Sequence, residues 1–324
     1  MKKFLFVGDT NGNTGPANVN KGIVANLSDA FCIADSVNKV KKYINAFIGV
    51  VRCKVIVVSG MSKVGVCAIK LAKLLNKKTV YIMHGCYEME CALNESAVDE
   101  NSLQMEQYIL HSVDLLLPVS ERYSQIIQEK YPFCKGKTAY LHNGVEKMNL
   151  EHGGVQREKG RIIAVGGDRK LKNNITVARA MAKLGTDRVL TVYGHLYNPK
   201  NLPQGKNIEF KGLVPQTQLY EEMRKSELYI LNSVYEPFAL SVYDALICGC
   251  SVLVTNVAGA LELLNVTEHD VIFDPMDENE IANKIDYLLE NSNNTRLLSS
   301  LDFNKISYKA EVEKLENYCN QLCN

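Results

Sequence analysis

Strand-length apolar runs alternate with helical stretches along this 324-residue chain, and they form two successive sets. Such alternation fits parallel sheets, because two neighbouring parallel strands need a crossover between them and a helix supplies it. The first set predicts strands near Lys3–Gly8, Lys54–Ser59, Thr79–His84, Leu115–Val119 and Thr138–His142, with helices near 16–30, 62–76, 99–112 and 121–130. The second predicts strands at 161–167, Val189–Tyr193, Ile208–Phe210, Leu228–Leu231, Val252–Thr255 and Val271–Phe273, again interleaved with helices. Between the sets, Asn143–Gly160 is polar, glycine-rich and without periodicity, as linkers are. The expectation is an α/β protein of two doubly wound Rossmann-like domains, residues 1–150 and 151–303, followed by a helix over 304–324.

Composition narrows the class. Hydrophobic residues make up 46% and charged residues 23% of the chain, and no apolar run nears the roughly 18 residues of a membrane span. Met1–Val7 is too short for a signal core and runs directly into Gly8-Asp9, as a first strand does, so a cytoplasmic protein is expected. Ten cysteines contain no C-x-x-C pair, and most, such as Cys32, Cys53, Cys67 and Cys248, stand singly in apolar segments, which predicts buried free thiols. Cys319 and Cys323 lack nearby partners for a metal, and no metal or other cofactor is expected.

The net charge of +1 conceals an asymmetry. Residues 1–150 hold 18 Lys and Arg against 13 Asp and Glu, about +5, leaving about −4 for the rest. No nucleic-acid partner is expected. Part of the basic excess lies in Lys39–Ile48, whose helical spacing gives an apolar face. Two readings stand: peripheral contact with anionic lipid on the inner face of a membrane, or a surface helix that packs Val40, Ile44 and Phe47 on its own sheet.

The most specific chemistry lies in Asn232–Cys250, where Glu236 and Asp244 stand eight positions apart across the start of a helix. Pro237 suits a first helical turn, and the N–H groups of Phe238, Ala239, Leu240 and Ser241 would then face outward, ready for an anion such as a pyrophosphate. Taken alone, Glu236 reads equally well as a solvated loop residue and Asp244 as a surface charge. Upstream, Gly166-Gly167 is followed by the bases Arg169, Lys170 and Lys172. A solvated basic loop is the plain alternative there. The loop Gly8–Ala17 carries three glycines, but not at the spacing of a dinucleotide fingerprint, and His84 ends a strand, where open α/β sheets place ligand contacts.

These segments resemble, in series, the retaining GT-B glycosyltransferases of family 4, glycosyl transferases group 1. Glu236 to Asp244 is similar to their Glu-x7-Glu signature with Asp in second place, and Ala239 replaces a glycine common there. Val113–Glu121 and Leu141–Val145 resemble architectural segments of the family. The resemblance runs to about residue 290. It implies two Rossmann-like domains facing a central cleft, with the tail crossing back to the first. It also implies transfer of a sugar, expected from a UDP-sugar, to a hydroxyl acceptor such as a lipid-linked saccharide, in cell-surface polysaccharide or glycoconjugate synthesis.

By the same match Glu236 and His84 would serve catalysis, while Arg169 and Lys172, with Lys170 as an alternative, would meet the donor pyrophosphate. Gly15, Gly194, His195, Val214, Phe238, Ala239, Leu240 and Ser241 would line the donor, and Asp244 would hold the ribose. Glu262, in a matching loop, reads as structural. Ala239 and Asp244 depart from the family pattern and keep open a non-catalytic, sugar-nucleotide-binding partner subunit. A nicotinamide enzyme is disfavoured by the missing fingerprint.

Overall fold

The computed structural model describes residues 3–12, 14–34, 38–146 and 156–323. The chain forms two compact units, one of Met1–Ala92, Ser96–Glu146 and Phe303–Asn324, the other of Leu93–Glu95 and Lys147–Asp302. Residues 147–155 of the expected linker lie outside the described residues.

The first unit is built on five parallel strands, β1 (Phe4–Gly8), β2 (Phe31–Ile33), β3 (Val55–Ser59), β4 (Lys78–Met83) and β5 (Leu115–Pro118), in the order β2-β1-β3-β4-β5. Val55 to Val58 are fully buried and pair in register with Phe4 to Val7. Strands covered on both faces read as unbroken apolar runs, which is why this sheet was visible in the sequence. Side-chain caps start its helices: Ser62, Asp99 and Ser120 each accept the N–H three residues on.

The second unit has six parallel strands, β6 (Arg161–Val165), β7 (Val189–Tyr193), β8 (Ile208–Lys211), β9 (Leu228–Leu231), β10 (Ser251–Thr255) and β11 (Val271–Ile272), ordered β11-β10-β9-β6-β7-β8. Its core joins Ile162, Ala164, Leu190, Val192 and Ile230 to Val177, Met181, Ile281 and Ile285 of two helices. In each unit the chain steps one way from its first strand and later the other way, so a switch point lies between β1 and β3, and another between β6 and β9. Loops leaving such neighbours diverge and open a crevice at the carboxyl ends of the strands.

Several expectations are corrected. Thr138–His142 is not a strand: Ala139 and Leu141 donate to Leu116 and Pro118 of β5, but only one bridge pair, Leu116 with Thr138, forms. β2 and the helix Tyr87–Asn94 were not anticipated, each too short for a clear period. The first helix ends at Asn26. The final helix is divided, Phe303–Ile306 then Tyr308–Gln321, because Ser307 caps a new start at Tyr308 by accepting the Ala310 N–H. Cys67 is exposed and Cys32 half-buried rather than enclosed. The packing reading of Val40, Ile44 and Phe47 also fails, since the helix Lys39–Arg52 buries Ala46, Gly49 and Val50 and leaves those three outside.

Candidate functional site

At the second unit's switch point, β6 runs into Gly166-Gly167, Asp168, Arg169 and a 3-10 turn, Lys170–Lys172. From the neighbouring strand, β9 runs into Asn232–Ala239 and the helix Leu240–Ile247. Val234 donates its N–H to Leu171 O at 2.9 Å, which ties the two loops together. Lys172 Nζ pairs with Glu236 Oε2, both side chains being largely buried, and Ser233 Oγ donates to the same oxygen at 3.3 Å. Two of the expected catalytic residues thus meet in one ion pair. Lys170 is exposed, whereas Lys172 faces the carboxylate. The half-buried Arg169 accepts the Lys172 and Asn173 N–H groups at its carbonyl, but its side chain makes no hydrogen bond or ion pair among the described residues, which leaves its fork of donors open for a ligand.

The backbone under Glu236 is held on several sides. Gly259 donates to Glu236 O at 3.2 Å, Ala260 to Phe238 O at 2.7 Å, and Thr255 Oγ1 to Ser233 O at 2.8 Å. Val257–Glu262 therefore supports the corner that carries Glu236. The helix begins at Leu240, not at Pro237, because Ala239 stands in a left-handed conformation (φ +77°, ψ +74°) that interrupts the turn. A glycine adopts that conformation without strain, so the alanine departure has a backbone cost. Phe238 is buried and belongs to the corner rather than to the helix end. Leu240 and Ser241 begin the helix, where backbone N–H groups lack intrahelical partners.

Asp244 is half-buried, and its carboxyl group has no hydrogen-bond partner among the described residues. Burial pushes its carboxyl up to about 7. Burial also raises the Tyr229 phenol, which shares a 2.7 Å hydrogen bond with Ser241; the carboxylates of Glu236 and Asp244 add to that rise, so both acids act on one ring.

Gly194 and Gly167 are packed so closely that a Cβ on Gly194 would run into the Gly167 N–H, and both have positive φ. A Cβ on Gly166 would meet Lys172 Cγ at 2.6 Å. The loops after β6 and β7 therefore close on each other behind Lys172. The backbone of His195 lies against Gly167, while its ring is exposed and meets Tyr197 edge-on. Val214 follows β8, at the sheet edge, and no hydrogen bond or ion pair among the described residues ties it to Lys172 or Glu236. Asp168, which sequence reading passed over, is buried and accepts from Tyr197 N–H (2.7 Å) and Asn198 N–H (2.6 Å), fixing the loop after β7.

The first unit has its own pocket at its switch point, a cleft of about 320 Å³ lined by Asp9, Ser59, Ser62, His84, Tyr87 and Glu90 among others. No Lys or Arg is among its lining residues. Ser59 Oγ donates to Asn20 Oδ1 at 2.6 Å and lies 2.9 Å from His84 Nε2. With the hydroxyl proton committed to Asn20, Nε2–H of His84 is the donor and Nδ1 keeps its lone pair. Burial pushes His84 down to about 4, so the ring is neutral near pH 7. Gly15 opens the helix Gly15–Asn26, and a Cβ there would touch nothing within 4 Å, so the packing does not require this glycine. Asn20, Ser59 and Glu90 were missed because they are ordinary residues in sequence and become a group only where β1, β3 and β4 end side by side. Among the described residues no group of three or more His, Cys, Asp or Glu could hold a metal ion.

Residues 149–301 match the family model of glycosyl transferases group 1. A Campylobacter jejuni N-acetylgalactosamine-N,N'-diacetylbacillosaminyl-diphospho-undecaprenol 4-alpha-N-acetylgalactosaminyltransferase is 28% identical over 187 residues, 55% of this chain and 51% of that protein. The mannosylfructose-phosphate synthase of Agrobacterium fabrum is 25% identical over 170 residues, 51% of this chain and 35% of that protein. The matches thus span about half or less of these curated relatives. Among solved structures, Anabaena HepE in complex with UDP and glucose superposes with a TM-score of 0.71 at 14% identity, covering 99% of this chain and 100% of that one. The sucrose-phosphate synthase of Thermosynechococcus elongatus gives 0.69 at 15%, covering 99% of each chain. The fold is thus that of the GT-B glycosyltransferases, and the second unit carries the segment that matches the glycosyl transferases group 1 model.

Proposed function

We propose that this protein is a retaining glycosyltransferase that moves a sugar from a nucleotide donor, a UDP-sugar, to a hydroxyl acceptor in the synthesis of a cell-surface polysaccharide or glycoconjugate. The observation that carries the reading is the Lys172–Glu236 pair at the switch point, with the uncommitted Arg169 and the helix start at Leu240 in the same crevice-forming loops. That set offers cations and N–H donors to a diphosphate and a carboxylate to the sugar. In transfer, the acceptor oxygen bonds to the anomeric carbon as the bond to the leaving phosphate breaks, and the departing phosphate oxygen takes the acceptor proton on the same face. Arg169 and Lys172 stabilise the charge growing on the diphosphate. Asp244 holds the ribose hydroxyls.

The first unit's pocket supports the acceptor side. Its carboxylates and lack of lining cations suit hydroxyls on an uncharged sugar and disfavour an anionic group at that point. A lipid-linked saccharide is the proposed acceptor, with the protein working in the cytoplasm at a membrane surface. The test is a panel of UDP-, GDP- and TDP-sugars offered with saccharide acceptors, read as nucleotide release and product anomeric configuration. Release from UDP-sugars with an anomerically retained product is expected; an inverted product overturns the mechanism. The strained Ala239 favours one second reading, a subunit that binds the sugar nucleotide without turning it over. Tight donor binding with no release from any sugar would establish that reading instead.

A further inference from the structure

We propose that the helix Lys39–Arg52, together with the groove it forms with the helix Lys63–Leu74, is a docking face for a lipid bilayer that carries anionic headgroups. Val40, Ile44, Phe47 and Val51 are exposed by 68, 52, 57 and 51%. They recur at helical spacing with Tyr43 and Ile48, which are exposed as well, so the apolar stripe of an amphipathic helix points outward while the small residues Ala46 and Gly49 face the sheet. Two apolar grooves flank the helix. One, about 420 Å³, lies against Val64, Cys67 and Leu71 of the neighbouring helix; the other, about 670 Å³, lies against Leu5, Cys32 and Ile33.

Charge selects the occupant. Neither helix contains an Asp or Glu, while together they carry Lys39, Lys41, Lys42, Arg52, Lys63, Lys70 and Lys73. Lys73 is committed to Asp114, and Lys39, Lys41, Arg52, Lys63 and Lys70 are exposed around the stripe. A second copy of so basic a surface would repel the first, whereas headgroup phosphates would meet the lysines as the apolar side chains enter the acyl boundary. Lys77 keeps the helix end closed in that setting, its ammonium donating to Val50 O, Val51 O and Cys53 O at 2.5–2.6 Å. The proposal deepens the reading of a lipid-linked acceptor, and its test uses no sugar substrate, so the two can fail separately.

The experiment is co-sedimentation of the whole chain with vesicles of phosphatidylcholine alone and of phosphatidylcholine with phosphatidylglycerol. Binding to the anionic vesicles only, weakened by high salt, is expected. Lys39→Ala with Lys41→Ala should reduce it roughly thirtyfold, at about fivefold per lysine. Ile44→Ser with Phe47→Ser should reduce it roughly tenfold or more at unchanged far-UV circular dichroism, since both side chains are already exposed. Equal binding to neutral and anionic vesicles, no binding, or binding indifferent to the apolar pair overturns the proposal. A dimer in gel filtration that Ile44→Ser with Phe47→Ser converts to monomer would assign the face to a second copy.

Discussion

The two switch points of this molecule share an architecture and differ in chemistry. Between β6 and β9 the diverging loops carry Arg169, Lys172 and a helix start beside Glu236; between β1 and β3 they carry Asp9 and Ser59 beside His84, with no Lys or Arg among the described lining residues. The crevice at a switch point is a property of strand order, and what it accepts is decided by a few side chains on the loops. On the proposed reading, one crevice takes phosphate and the other hydroxyl.

The largest expected effect tests the division within the donor site. Glu236→Gln should cut transfer roughly 10²-fold or more while UDP affinity holds or improves, because the substitution removes the charge proposed to face the sugar and frees Lys172 from its partner. Isothermal calorimetry beside initial rates checks this; a rate near wild type breaks the assignment. Next come the cations. Arg169→Ala or Lys172→Ala should each weaken UDP by about 1.5–3 kcal/mol and leave uridine nearly untouched, and equal losses for both ligands would remove the phosphate role.

Smaller and more revealing is the difference in titration. Asp244 is pushed up to about 7 and His84 down to about 4, so Asp244 should respond to pH near neutrality, where His84 does not. Donor KM should fall as pH rises through 7 and Asp244 ionises; Asp244→Asn should raise donor KM and abolish that dependence. Stability runs the other way. A carboxyl raised in the folded state binds its proton more tightly there than when unfolded, so its stabilising contribution is present at low pH and is lost as pH climbs from about 4 through 7. Thermal melts of Asp244→Asn should therefore show a flatter pH dependence in that window, and an unchanged slope would mean that another group titrates.

Ala239→Gly should stabilise the protein by about 1 kcal/mol by relieving the left-handed residue, read as a shift in denaturant midpoint. If it also raises turnover, the strain bears on the donor site; if neither changes, Ala239 sits there at no cost. Activity should persist in excess EDTA, since bases and N–H donors are proposed to meet the phosphate charge; loss restored by added metal would overturn the donor-site mechanism.

Much of the fold could be read from the chain because parallel strands buried on both faces announce themselves, as Val55-Ile-Val-Val58 does. β2 was not readable, since its three residues owe their strand state to pairing with β1. Glu236 and Lys172 stood out through motif order, but their ion pair joins residues 64 apart and no spacing rule predicts it. The outward stripe of Lys39–Arg52 shows the opposite limit: periodicity revealed an apolar face, and only the three-dimensional structure could say which way it points. The left-handed Ala239 was equally hidden, because φ belongs to the loop that encloses the residue.

The tail helix bears on how the protein is made. The Tyr308 ring sits where a Cβ on Gly22 or Gly144 would collide with it, Val145 N–H bonds Ile306 O at 2.8 Å, and Leu315 and Cys319 are fully buried, so the unit that starts at the N-terminus is finished by residues from Phe303 onward. On the ribosome, that unit must wait for the whole second unit to be translated before its last apolar surface is covered. During that interval the first unit is an incomplete domain with an open seam beside Gly22, and it is then that a chaperone would be expected to engage the nascent chain.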